Sequence, residues 1–381
     1  MRRNASVPPG DLFSSQRPSS TNLVSNPFFS APMKLPGQGF FFTALADLNG
    51  DGNLDLAGVR DGAGQLAILL GNGDGTFNEP LITPVGTRPF AVVTGDFNSD
   101  GILDLAVTNQ FSFDVSILLG NGDGSFGPEN RFPVRRGESR FAVAVDLTGD
   151  GFTHLAVAQR SNDSISFLVG HGDGTFEPFT ELSTDLRRGW RILATDIDGD
   201  GFLDLVLGTK ADRAFSILGG HGDGTFDLPR RISTSGTTPS IVAVDFNGDG
   251  VPDFAHSDPL LNDRVAVLLA SQDGPIGSEE FFDFGGNNFF GLAGLAAGDF
   301  NLDGLPDLAA SSNSVNLTLL VSAGNGNFIV TAPLLIQTLG TVILSDDLNK
   351  DGRDDLTISP FYFLPQHSAP QRGLLLECLP G

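Results

Sequence analysis

Sulfur and the larger aromatics are nearly missing from this 381-residue chain, which holds one cysteine, one tryptophan, one tyrosine and two methionines. A lone Cys378 excludes an intrachain disulfide, a thiolate zinc cluster and a CxxC redox centre. Basic residues are also scarce, with 22 Lys and Arg against 46 Asp and Glu and a formal charge of −24. Such a chain repels phosphate backbones, so nucleic acid is not an expected partner. No apolar run reaches the roughly 18 residues that a membrane helix needs. The first 24 residues begin with two arginines but carry no apolar core of an export signal, and read as a polar tail over 1–24. The folded part is then expected over 25–381.

Glycine, phenylalanine and aspartate are abundant instead, with 49 glycines and 32 phenylalanines. The aspartates recur in a nonapeptide, D-x-N-x-D-G-x-x-D, whose copies begin at Asp47, Asp96, Asp146, Asp196, Asp245, Asp299 and Asp347. A repeat near 50 residues sets the architecture. Within one unit, residues 90–97, 103–108, 114–119 and 129–134 read as short strands bounded by Gly, Asn or Asp. Four antiparallel strands per unit and seven units predict an all-β, seven-bladed propeller. The last unit offers three strands (340–345, 355–359 and 373–378), and residues 29–36 match the fourth strand of the other units. The N-terminal strand is therefore expected to complete the last blade and close the ring.

Oxygen donors at positions 1, 3, 5 and 9 of each cassette, with a main-chain carbonyl at position 7, suit a hard cation such as calcium. The first two copies offer Asp47, Asn49, Asp51, Asn53 and Asp55, then Asp96, Asn98, Asp100, Ile102 and Asp104. The fourth and fifth offer Asp196, Asp198, Asp200, Phe202 and Asp204, then Asp245, Asn247, Asp249, Val251 and Asp253. The last two offer Asp299, Asn301, Asp303, Leu305 and Asp307, then Asp347, Asn349, Asp351, Arg353 and Asp355. The third copy keeps Asp146 and Asp150 but has Thr148 at position 3 and His154 at position 9, and imidazole suits a hard cation poorly. About six calcium sites are expected, with a seventh weak or empty. A second repeat, GNGDGTF at 71–77 and its equivalents, reads as a hairpin turn anchored by an aromatic.

Units of the form FAVVTGDFNSDGILDLAV…VSILLGNGDGSF resemble the FG-GAP/VCBS repeat family and are similar to the N-terminal propeller of integrin α-chains. The resemblance covers about residues 28–378 and implies a seven-bladed propeller with calcium in the loops between the first and second strands. No other integrin domain fits in the chain, so it does not imply integrin-type adhesion.

Opposite those loops, basic residues gather in the first four units. Arg136, Arg140, Arg187, Arg188 and Arg191 flank Trp190 there, and this arc is a candidate surface for a protein or acidic-glycan ligand. The plainer reading is a solvated rim, with Trp190 in the slot that Phe41 and Phe90 fill elsewhere. Five scattered histidines form no recognisable nucleophile–base pair, and neither G-x-S-x-G nor H-E-x-x-H occurs. The sequence thus points to a non-catalytic, monomeric, calcium-binding module. Calcium loops of this weak, extracellular kind place it outside the cell or in the periplasm. The alternative is a polysaccharide lyase or hydrolase built on the same scaffold.

Overall fold

In the computed structural model, the described residues are 29, 33–37, 39–258, 264–271, 276–283, 294–311, 316–336, 340–360 and 374–376. The expected tail over 1–24 and Cys378 lie outside them. No helix among the described residues is long and apolar enough to cross a membrane.

Seven antiparallel sheets follow one another along the chain. Blade 2 is typical, with strands Pro89–Gly95, Asp104–Asn109, Asp114–Leu118 and Asn130–Pro133. These agree with the sequence reading to within one or two residues. Burial grades across each sheet. In blade 2 the second strand is buried along its whole length, while three of the four outer-strand residues are exposed. Leu105, Ala106 and Val107 are apolar on both faces because a neighbouring blade covers each face. Burial of this kind stabilises by roughly 25 cal/mol per Å² of apolar surface.

Blade 7 is built from both chain ends. Gly340–Asp346, Asp355–Pro360 and Leu374–Leu376 form three strands, and Met33–Lys34 pairs antiparallel with the third. Its inner strand packs against the inner strands of blades 6 and 1. Leu35, just beyond the N-terminal strand, is 2% exposed and packs with Phe40, Leu56 and Leu375.

The inner strands of blades 1, 2, 3, 4 and 7 shift register near their starts. In blade 4, Gly189 faces Thr209 and Ile192 faces Leu207, so Trp190 and Arg191 together oppose Gly208. A bulge of this kind re-aims side chains. It helps turn Phe41, Phe90, Phe141 and Trp190 into one aromatic cluster at the start of the inner strands, with Phe90 5.3 Å from Phe141 and 5.5 Å from Trp190. Beyond this cluster the inner strands of all seven blades enclose a cavity of about 610 Å³.

Leu35→Ala should cost about 2–5 kcal/mol in chemical denaturation, the range for a buried leucine. A cost below about 0.5 kcal/mol would show that the N-terminal segment is not part of the packed ring.

Candidate metal loops and the opposite rim

Each cassette bridges the first and second strands of its blade, and its geometry repeats. In the first copy the Asp47 carboxylate accepts backbone N–H groups from Gly50, Asp51 and Gly52, at 2.8, 3.2 and 2.8 Å. Asn49 Oδ1 accepts from Asp51 N–H at 2.9 Å, and Asp51 Oδ1 accepts from Asn53 N–H at 2.7 Å. Gly52 has φ +80°, a value that side chains rarely adopt and that the bend requires.

Position 9 is different in kind. Asp55 is fully buried, and its two oxygens accept N–H groups from Leu48 and Gly71, both at 2.8 Å. Asp104 does the same with Phe97 and Gly120, Asp204 with Ile197 and Gly220, and Asp253 with Phe246 and Ala270. Asp307 joins Phe300 and Ser322, and Asp355 accepts from Leu348. The closing residue therefore pins position 2 of its own loop to the residue that opens the next turn. The sequence marks it as a shell-closing ligand but does not disclose this second role.

Burial pushes these carboxyls up. Asp55, Asp104 and Asp204 are raised, Asp253 reaches about 6 and Asp307 about 7, even though backbone N–H groups pull the other way. Neighbouring cassette carboxylates add to the rise. A buried acid facing other acids lacks a countercharge, and a cation held by oxygen donors would supply it. The donor set fits: Asp196, Asp198 and Asp204 each bring an oxygen within 4.8 Å of the others. Asp200 is outside that trio, and its Oδ1 accepts from Phe202 N–H at 2.8 Å.

The third loop solves the same problem without a carboxylate. Asp146, Asp150 and His154 also converge within 4.8 Å. However, His154 Nδ1 accepts the Gly170 N–H at 3.0 Å, the bond that Asp makes elsewhere. Its proton is then on Nε2, which lies 2.7 Å from Thr148 Oγ1 and 3.4 Å from Asp150 Oδ1. A nitrogen bearing a proton has no lone pair for a metal. Burial lowers the His154 pKa despite the two aspartates, so the ring is held towards its neutral form.

In the GNGDGTF turns, Asp74 Oδ1 accepts from Thr76 N–H and Oγ1 at 3.0 and 2.6 Å, and Gly71 bridges to Phe77. These bonds lower the Asp74 pKa and keep its carboxylate within its own turn.

The six residues expected to form a ligand surface opposite the cassettes occupy different environments. Arg136 and Arg188 are exposed. Arg187 is locked to Asp212 through Nη2 at 2.8 Å and Nε at 3.1 Å. Trp190 and Arg140 are buried, and the Arg140 guanidinium lies against both the Phe90 and Trp190 rings at 4.7 and 4.6 Å while pairing with Glu138. Arg191 lines the central cavity. Lys210 Nζ sits 3.0 Å from the Trp190 ring centre, and burial beside Arg140 and Arg160 pulls its pKa down to about 6. Arg88 pairs with Asp61, Arg135 with Glu181 and Arg160 with Glu138, so carboxylates interrupt the arc. Among the histidines, His256 is buried inside blade 5 with Nε2 2.9 Å from Glu279 Oε1.

Fold and loops together define a β-propeller with acidic cassettes. The family descriptions FG-GAP-like repeat (residues 47–107, 146–207 and 196–256) and FG-GAP repeat (residues 89–126) match the chain. The chain belongs to the FG-GAP repeat family. Among solved structures it is similar to an Agrocybe aegerita lectin that recognises non-reducing terminal N-acetylglucosamine, at 20% identity, 78% of this chain, 81% of that one and TM-score 0.59. It is also similar to BBS1N in complex with ARL6DN, at 12% identity, 93% and 96% coverage and TM-score 0.62. A functionally unknown protein from Desulfotomaculum acetoxidans is similar at 15% identity, 77% and 90% coverage and TM-score 0.56. At these identities the likeness concerns the fold. No curated protein matches the sequence.

Two substitutions separate the roles described above. Asp104→Ala should lower stability with or without calcium, by about 2–5 kcal/mol, because it strands two buried N–H groups. Asp100→Ala should lower it chiefly in calcium, and equal losses in EDTA would remove the distinction. Lys210→Met tests the crowded cation. A lysine whose folded pKa is depressed favours the unfolded state at and below about pH 6, and the penalty fades as pH rises towards 10. The variant should therefore melt higher at pH 6, with a smaller gain at pH 9, and a gain that grows with pH would contradict this.

Proposed function

We propose that this FG-GAP propeller is a calcium-stapled interaction module that presents a protein or acidic-glycan ligand surface outside the cell or in the periplasm. The observation that carries the metal reading is the set of buried ninth-position carboxylates, raised as far as about 7 at Asp307, each facing further cassette acids. Calcium fits this donor set better than a softer metal, because every side-chain donor in the six complete loops is oxygen. Asp47, Asn49, Asp51 and Asp55, the Asn53 carbonyl and their equivalents would hold the ion. In the third loop the Nε2–H of His154 stands where the cation's charge is needed, which supports a loop that works without metal.

The interaction role is supported by membership of the FG-GAP repeat family. A lectin among the similar folds is compatible with a glycan ligand, and BBS1N in complex with ARL6DN with a protein one. Arg136 and Arg188 are the exposed cations that such a ligand would meet first. Binding is steered there by local charge, since the net charge of the chain is strongly negative.

Removing calcium with EDTA should lower the melting temperature by well over ten degrees, because several acid clusters lose their countercharge at once. An unchanged melting curve would remove the metal reading. A glycan array in calcium should show acidic glycans retained by the native protein and weakened by Arg136→Ala with Arg188→Ala. Retention that ignores both substitutions would place the ligand elsewhere.

A further inference from the structure

The central cavity carries a charge that the propeller itself does not use. Arg191 lines the wall of this space of about 610 Å³, which is otherwise built mainly from Ala, Val and Leu side chains such as Val143, Leu193, Val242 and Leu344. It is there because the blade 4 bulge places two residues, Trp190 and Arg191, opposite Gly208. Its guanidinium lies 4.7 Å from the centre of the Phe141 ring. Among the described residues it makes no hydrogen bond and no ion pair, in contrast to Arg88, Arg135, Arg140, Arg160 and Arg187. The side chain is of intermediate exposure, so water in the channel reaches it while the surrounding strands strip away much of its hydration. That burial draws its pKa down to about 10, and it remains a cation at neutral pH.

The two ends of the channel differ. At the start of the inner strands Phe90 packs edge to face with Phe141 and with Trp190, and Phe41 is tilted against Phe90. At the other end the wall reaches Val145, Thr195, Val244 and Asp346, each just before a cassette. Asp346 is the sole carboxylate on the lining and is exposed at this end. Thr94 and Thr195 line the same space, and their hydroxyls make no hydrogen bond among the described residues. A wall of mostly aliphatic side chains and polar strand edges, with one fixed cation, a few hydroxyls and a carboxylate at its end, has the make-up of a small-molecule site.

We propose that the central channel binds a small organic carboxylate, its acid group paired with Arg191 and its compact apolar body against the aliphatic wall. The ligand enters from the cassette face. A guanidinium matches a carboxylate in shape as well as charge, and the confined channel strengthens the pair. The inference does not depend on the metal reading or on the rim, since neither contributes a group to the pair.

Trp190 is the only tryptophan in the chain and borders a small recess together with Arg191, so its fluorescence reports on this site. The test titrates the full-length protein, in calcium and again in EDTA, with cyclohexanecarboxylate, with the neutral cyclohexylmethanol and with inorganic phosphate. A saturable fluorescence change is expected with the carboxylate, weakened at least tenfold for the alcohol and in Arg191→Met. Arg191→Lys should retain part of the affinity, which guards against a Met variant that fails to fold. Three results would overturn the proposal: no saturable response, an alcohol response equal to that of the acid, or an Arg191→Met titration matching the native protein. Phosphate binding more tightly than the carboxylate would overturn the assignment of the ligand class.

Discussion

One side chain per blade, buried at the start of the second strand, ties this propeller together locally. In the six cassettes that end in aspartate the ninth residue accepts the N–H of the second residue in its own loop, and in five of them it also takes the N–H that opens the turn after the third strand. Those two amides come from opposite ends of a hairpin pair, and without a partner each would be a buried donor left open. An aspartate is short enough to reach both and has an oxygen for each. The arrangement leaves a negative charge inside the blade, and the rest of the cassette is the response to it. Positions 1, 3 and 5 cap loop amides, and in the fourth loop Asp196 and Asp198 also bring oxygens within 4.8 Å of Asp204. His154 shows the rule by exception: it keeps the amide bond through Nδ1 and brings a proton where the other blades present only acids.

The opposite ends of the inner strands obey a different constraint. There a bulge lets two consecutive residues share one pairing position, and aromatics from neighbouring blades meet. Arg140 lies buried against Phe90 and Trp190, and Lys210 also packs on the Trp190 ring. Glu138, Asp61, Glu181 and Asp212 then hold most of the remaining cations of this side in pairs. Exposed pairs of this kind contribute little stability, about 0–1 kcal/mol each, but they fix where free charge remains.

The propeller was legible because its signals are local and repeated. Gly, Asn and Asp bracket strands such as Asp104–Asn109, and both-face apolar runs such as LDLAV can only lie between two neighbours. The N-terminal strand of blade 7 was readable from the similarity of residues 29–36 to 77–84, and Met33–Lys34 does pair with Leu374–Leu376. The second role of Asp55 and its equivalents was not readable, since nothing in a nonapeptide shows that an amide sixteen residues away needs an acceptor. The rim was legible only as composition. Arg140, Arg187 and Arg191 look alike in sequence, yet one is buried, one is paired and one lines the channel, because a bulge and distant acids decide each case. A regular strand reading cannot foresee that Trp190 and Arg191 share one pairing position.

The proposed calcium staples rest on six buried carboxylates, and not seven, each taking a cation. Equilibrium dialysis of the metal-free protein against calcium counts them directly. The account predicts six ions per chain, one for each cassette that ends in aspartate, and still six after His154→Ala. No bound calcium would contradict the account outright, and a seventh ion in the native chain would contradict the role given to His154.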